Sequence, residues 1–262
     1  MTEVVRSPQN SKLKLARAIR LGKERGRVLL EGLHVLEEAL AAGASIDWVL
    51  VSEDRLGDST WGPILERARS AGAEVVSCEA KLLAEGSDLS TPPGLLAVCS
   101  QPELELRSVL GALTDQDFLL VCAGVQDPGN VGAIVRVAAG LGAAAVVCLK
   151  GGASAWSPRA LRGASGTTFR LPTCDRVSWQ DFLSAAQENG IRILAADAGG
   201  DSIEEGFGEK SNPCALVLGE EGKGIPDEVR ASVERVLSIP LSRGVESLNV
   251  ATAAAVLSWN LR

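Results

Sequence analysis

The sequence predicts an α/β protein in two parts, a small αβα unit followed by a larger, mostly parallel, doubly wound sheet. Three observations predict it. Strand-sized apolar runs alternate with helical segments along nearly the whole chain. A stretch that is polar at both ends, residues 101–117, interrupts the alternation and reads as a connection. The 262 residues exceed one average domain and suit two modest ones. The boundaries expected are 1–100 for the first domain, 101–116 for the linker and 117–262 for the second.

In the first part, residues 11–25 read as a helix. Leu13, Ala16 and Ile19 recur at three-residue steps, while Lys14, Arg17, Arg20 and Lys23 supply a basic face. A strand at 27–31, a helix at 33–42, a strand at 48–52, a helix at 61–71, a strand at 74–77, a short helical piece near 81–85 and a strand at 94–100 follow. The second part opens with the apolar strand 118–125 and continues with helix 129–141, strand 144–149, helix 157–164, strand 168–171 and helix 179–189. Strands at 192–197 and 214–218, a helix at 226–232, a strand at 236–240 and a terminal helix at 248–261 complete it. Strand-helix-strand succession of this kind builds parallel sheets with right-handed crossovers.

Composition removes several classes of function. The longest apolar runs are strand-sized, too short to cross a bilayer. The first residues lack the layout of a secretory signal, and a cytoplasmic location is expected. Six cysteines contain no CxxC pair, and a single histidine, His34, stands beside no nucleophile motif. No metal site and no histidine-based hydrolysis are expected. The formal net charge is −7, yet residues 1–27 carry +6, leaving −13 for the remainder. Lys12, Lys14, Arg17 and Arg20 therefore form a candidate phosphate-binding face confined to one end of the chain.

Three turns carry the chemistry. Gln126-Asp127-Pro128-Gly129-Asn130 leaves a strand and opens a helix that carries Arg136. In open α/β sheets such strand ends form the ligand edge. Leu218-Gly219-Glu220-Glu221-Gly222-Lys223-Gly224 resembles a phosphate loop but lacks its spacing and hydroxyl, which argues against nucleotide hydrolysis. Its carboxylates suit a cation partner, with Arg136 an obvious candidate. Ile239-Pro240-Leu241-Ser242-Arg243-Gly244-Val245-Glu246-Ser247-Leu248-Asn249 leads into an Ala-rich helix whose burial would leave Ser247 and Asn249 in need of partners.

At these residues the chain resembles the SpoU branch of the SPOUT methyltransferases, the TrmH family. DPGNVGAIVRVA, LVLGEEGKGI and IPLSRGVESLNVATAAAV occur in the family's order. A further stretch, beginning at Arg162 with RGASGTTFRLP, is similar to the family's element ahead of a strand. SPQNSKLKLARAI, LLEGLHVLEEAL and TPPGLLAV resemble the αβα, ribosomal-protein-like substrate-binding domain that many members carry. The resemblance implies a trefoil-knotted catalytic domain, a homodimer, S-adenosylmethionine as methyl donor and a ribose 2′-hydroxyl of structured RNA as acceptor, ribosomal RNA being favoured over transfer RNA with both left open. By position it implies donor contacts from Leu218, Gly219, Ile239 and Leu248. Asn130, Arg136, Glu221, Ser247 and Asn249 become the polar catalytic set, and Arg162 joins the RNA-binding residues.

A ribose hydroxyl is a poor nucleophile, so its methylation needs in-line placement and compensation of the developing alkoxide charge. Arginine is a poor free base and a strong donor to such an oxygen. Arg136, oriented by Glu221 or Asn130, is expected in that role. Two other readings compete. One is a catalytically idle RNA-binding protein keeping the same scaffold, against which the intact polar set argues. The other is a dinucleotide-dependent oxidoreductase, prompted by Gly140-Leu141-Gly142, but that pair falls at a helix end rather than its start.

Overall fold

The computed structural model describes residues 4–87, 89, 94–206, 212–220, 222 and 224–262. They form two compact units, one made of the chain up to Glu103 together with Trp156–Phe169, the other of Leu104–Ala155 and Arg170–Arg262.

The first unit contains β1 (Val4–Val5), α1 (Ser11–Arg20), β2 (Arg27–Glu31), α2 (Leu33–Ala41), β3 (Ile46–Ser52), α3 (Gly62–Ser70), β4 (Glu74–Cys78), α4 (Ala80–Gly86) and β5 (Leu95–Ser100). Among the described residues its sheet runs β1-β4-β3-β5-β2. The first three of these strands are parallel, and β5 is antiparallel to both neighbours. Strand alternation sorts the core into two layers. Leu29, Leu50 and Leu96 meet Leu13, Ala16 and Ile19 of α1 with Leu82 and Leu83 of α4. Leu30, Val49 and Ala97 meet Val35 and Leu36 of α2 with Ile64 and Leu65 of α3. Helix α1 starts where the Asn10 side chain accepts from the Lys12 amide at 2.9 Å. It stops at Arg20 rather than running to residue 25, because Gly22 turns left-handed (φ 67°) and the Lys23 amide closes back on the Ala18 carbonyl.

The second unit contains α5 (Leu106–Gly111), β6 (Phe118–Cys122), α6 (Pro128–Leu141), β7 (Ala145–Leu149), β8 (Thr173–Val177), α8 (Trp179–Glu188), β9 (Arg192–Ser202), β10 (Cys214–Leu218), α9 (Asp227–Arg230), β11 (Arg235–Ser238) and α10 (Val250–Leu261). Helix α7 (Pro158–Gly163) lies between β7 and β8 in the chain and packs in the first unit. Among the described residues the sheet order is β11-β9-β10-β6-β7-β8, with every pairing parallel. One face buries Leu119, Val121, Val147 and Val217 under Phe182 of α8, Leu110 of α5 and Val229 of α9. On α6 the buried residues are Val131, Gly132, Ile134, Val135 and Ala138, and α6 packs against β6, β7 and α10.

Two sequence expectations fail here. A helix, α5, forms inside the stretch read as a connection; the Glu105 side chain caps it by accepting from the Ser108 amide at 2.9 Å. The strand expected at 168–171 is a 3-10 turn, Thr167–Phe169. Ser165 (φ 50°) and Gly166 (φ 76°) turn the chain sharply after α7, and the strand begins only after Pro172. A side chain at Gly166 would meet Glu38 Cβ at 2.6 Å. Trp156 and Leu161 in this segment enter the core of the first unit.

Candidate active site

The C-terminal ends of β6 and β10 lie side by side, with Leu218 level with Cys122 on one flank and Ala196 of β9 on the other. The connection from β6 leads outward to β7 and that from β10 leads to β11 at the opposite edge. This is the arrangement that opens a ligand crevice in doubly wound sheets.

From β6 the chain enters α6 through Asp127, whose side chain accepts from the Gly129 amide at 2.6 Å, with Pro128 at the first helical position. Asn130 thus occupies the first turn. Arg136, six residues on, lies roughly 120° around the helix from it at 100° per residue. Its guanidinium is exposed and makes no hydrogen bond or ion pair with Asn130 or any other described residue. Glu221, the other expected partner, lies outside the described residues.

From β10 the chain passes Leu218 into a tight turn. Glu220 and Gly224 exchange backbone hydrogen bonds at 3.0 and 2.8 Å. A Cβ on Gly219 would sit 2.3 Å from the Gly224 carbonyl oxygen, so only glycine permits this approach. The third turn follows β11 and ends at Asn249, the N-cap of α10. Its Oδ1 accepts from the Ala251 and Thr252 amides at 3.0 and 3.4 Å. That capping fixes the orientation of the amide, and Nδ2 is left to donate to Asn130 Oδ1 at 3.0 Å.

The second and third turns enclose a cavity of about 650 Å³. Leu218, Gly219, Ile239, Ser247 and Leu248, all singled out from sequence, line it. Asp197 of β9 and Glu246 also line it and were missed. The signal for Asp197 was its position at the end of an expected strand, the edge where ligands sit. Ser247 is exposed and Leu248 half-buried.

The four basic residues of α1 are not equivalent. Lys12 Nζ lies 2.8 Å from Glu74, Arg17 pairs with Glu85, and Arg20 Nη1 donates to the Ser87 carbonyl at 3.4 Å. Lys14 is exposed and makes no ion pair. Arg162 pairs with Glu31, whose side chain is fully buried, inside the first unit. No group of three or more His, Cys, Asp or Glu side chains placed to hold a metal occurs among the described residues, and none of the helices searched there is long and apolar enough to cross a membrane.

Comparison with known proteins supplies the family. Residues 117–259 match the SpoU rRNA Methylase family and residues 10–97 match the MRM3-like substrate binding domain. The chain is 31% identical to the 23S rRNA (guanosine(2553)-2′-O)-methyltransferase RlmP of Bacillus subtilis, over 98% of each protein. It is 30% identical to the mitochondrial rRNA methyltransferase 3A of Danio rerio, over 95% of this chain and 66% of that protein. Among solved structures, the SpoU methyltransferase AviRb from Streptomyces viridochromogenes, in complex with the cofactor AdoMet, superposes with a TM-score of 0.83 at 25% identity, covering 97% of each chain. With an α/β fold, a ligand crevice at its switch point and these matches over both parts, the chain belongs to the SpoU rRNA methylase family.

Proposed function

We propose that this protein transfers the methyl group of S-adenosylmethionine to a ribose 2′-hydroxyl of ribosomal RNA. The observation that carries the reading is the convergence of three turns: the cavity lined by Gly219, Ile239 and Leu248 is continued by Ser247 into Asn249, which is bonded to Asn130 at the head of the Arg136 helix. A relative acting on 23S rRNA and a structural neighbour holding AdoMet support the same reading.

The cavity fits the donor. Its volume lies in the range of small-molecule sites. Leu218, Ile239 and Leu248 provide apolar walls, the Gly219 turn brings backbone groups close, and the Glu246 carboxylate suits a ligand that carries positive charge. When bound, the donor supplies a methyl group already activated on sulfur. The chain supplies position and charge. Asn249 and Asn130 form one polar wall, anchored to two helix starts, against which a ribose can be oriented. Arg136 is free to present its planar fork to the 2′-oxygen and compensate the alkoxide charge as it develops. Glu221 completes the polar set in this reading. The exposed Lys14 and its basic neighbours on α1 hold the RNA backbone in the first domain, and Arg162, on a segment packed against the other layer of that domain, is a further RNA-binding residue in this reading. Domains at 1–100 and 117–262, a trefoil knot in the C-terminal segment, a homodimer and a cytoplasmic location belong to the same proposal.

The test is transfer of labelled methyl from S-adenosylmethionine to ribosomal RNA, followed by alkaline hydrolysis. A methylated 2′-oxygen cannot attack the adjacent phosphodiester, so the label should emerge in an alkali-resistant dinucleotide. Label released as mononucleotide, or no label incorporated into any RNA, contradicts the proposal.

A further inference from the structure

Asp197 lines the cavity and has no part in the methyl-transfer reading above. It sits where β9 leaves its regular ladder: the register on β11 moves by one residue, Val236 to Leu237, while β9 jumps from Ala195 to Asp201. The intervening residues of β9 are thereby lifted out of pairing with β11. Bulges of this kind re-aim side chains beside sites. Gly200 makes the return possible, since a Cβ there would lie 2.6 Å from the Val236 carbonyl carbon and oxygen. The displaced Asp197 lines the cavity beside the donor turn, and a Cβ on Gly224 of that turn would lie 3.0 Å from Asp197 Oδ2.

Both oxygens of this carboxylate are held from outside the cavity. Oδ1 accepts from the Gly199 amide at 3.0 Å, and Oδ2 is paired with Arg230 of α9. Each oxygen keeps lone-pair capacity for a further donor. Because Arg230 offsets the charge, the group is poorly suited to attracting a cation and well suited to accepting from neutral hydroxyls. Glu246, which makes no ion pair among the described residues and adjoins Ser247, is the better seat for positive charge.

We infer that Asp197 binds the ribose diol of the methyl donor and so sets the direction in which the donor lies, nucleoside toward the β9 bulge and methyl toward Ser247 and Asn249. This rests on the donor reading above and adds the residue that distinguishes a ribonucleoside from its deoxy forms. Calorimetric titration of the full chain with S-adenosylhomocysteine and with its 2′-deoxy and 3′-deoxy analogues tests it. The wild-type protein should bind at least one deoxy analogue roughly tenfold to a hundredfold more weakly than the parent, the loss expected for a hydrogen bond to a charged group. Asp197→Ala should bind all three alike and weakly, and Asp197→Asn should fall between. Equal wild-type affinity for all three ligands, or discrimination that survives in Asp197→Ala, overturns the assignment. The wild-type comparison decides even if the alanine variant does not fold. Absence of any S-adenosylhomocysteine binding overturns the donor reading itself and this assignment with it.

Discussion

Asn249 donates from Nδ2 to Oδ1 of Asn130 at 3.0 Å, joining the starts of α10 and α6 across 119 positions of sequence. The same Asn249 amide caps α10 through its oxygen, so one side chain couples helix stability to the shape of the polar wall.

That double use can be separated. Asn249→Asp keeps the capping oxygen and removes the donor to Asn130, so the thermal midpoint should stay close to wild type while single-turnover methyl transfer falls by about tenfold or more, measured with saturating donor. Asn249→Ala loses the cap as well and should cost about 1 kcal/mol in addition, read as a fall of a few degrees in Tm. If the aspartate variant transfers methyl at the wild-type rate, the amide bridge has no part in positioning.

Arg162 and Glu31 form a buried pair, and removing one partner should be worse than removing both. Arg162→Met leaves the fully buried Glu31 carboxylate without its cation, and a loss of about 3–5 kcal/mol is expected in denaturant unfolding. Adding Glu31→Gln should restore most of it. A variant that weakens RNA binding with an unchanged unfolding midpoint would instead place Arg162 directly on the RNA.

The buried thiols give the protein an alkaline limit. Burial pushes Cys78 and Cys174 up to about 11 and Cys99 up to about 12, with the nearby Glu79 and Glu53 adding to the effect at Cys78. An unfolded chain releases these protons from about pH 8.5 upward, whereas the folded one retains them. A raised acid therefore costs stability as pH rises above the unfolded value. The urea midpoint should fall between pH 8.5 and 11, and the fall should be shallower in Cys174→Ala. Identical slopes for the two proteins would remove the assignment.

On α1, Lys14 should matter more for RNA than for the fold. Lys14→Glu is expected to weaken RNA binding and to reduce the slope of log affinity against log salt by about 0.7–0.9, the equivalent of one phosphate contact, with donor affinity unchanged. Arg17→Glu also breaks the pair with Glu85 and should lower the thermal midpoint as well. Equal loss of RNA and donor binding in Lys14→Glu would contradict a division of labour between the two domains.

The fold class was legible because it rests on local periodicity: Leu29, Leu30, Val49 and Leu50 alternate between two cores, and the strand-helix succession implies the parallel sheet. Element ends were less legible, since left-handed residues such as Gly22, Ser165 and Gly166 decide them one at a time. Within the candidate site, the motifs placed Leu218, Gly219, Ile239, Ser247 and Leu248 around one cavity. They did not reveal Asp197, whose place depends on a register jump between β9 and β11 that no spacing encodes. Nor did they reveal that Asn130 turns toward Asn249 while Arg136 faces solvent, a consequence of the angle between positions six apart on α6.

The most direct measurement is the single-turnover rate of methyl transfer by Arg136→Ala on ribosomal RNA, taken beside its donor affinity. Rate should fall by about a hundredfold or more while the Kd for S-adenosylmethionine changes by less than about threefold, because the proposed role of Arg136 is to compensate charge at the ribose oxygen and not to hold the donor. Arg136→Lys should recover little, lacking the planar fork. Nearly full rate in either variant, or loss of donor binding in step with rate, would contradict the account.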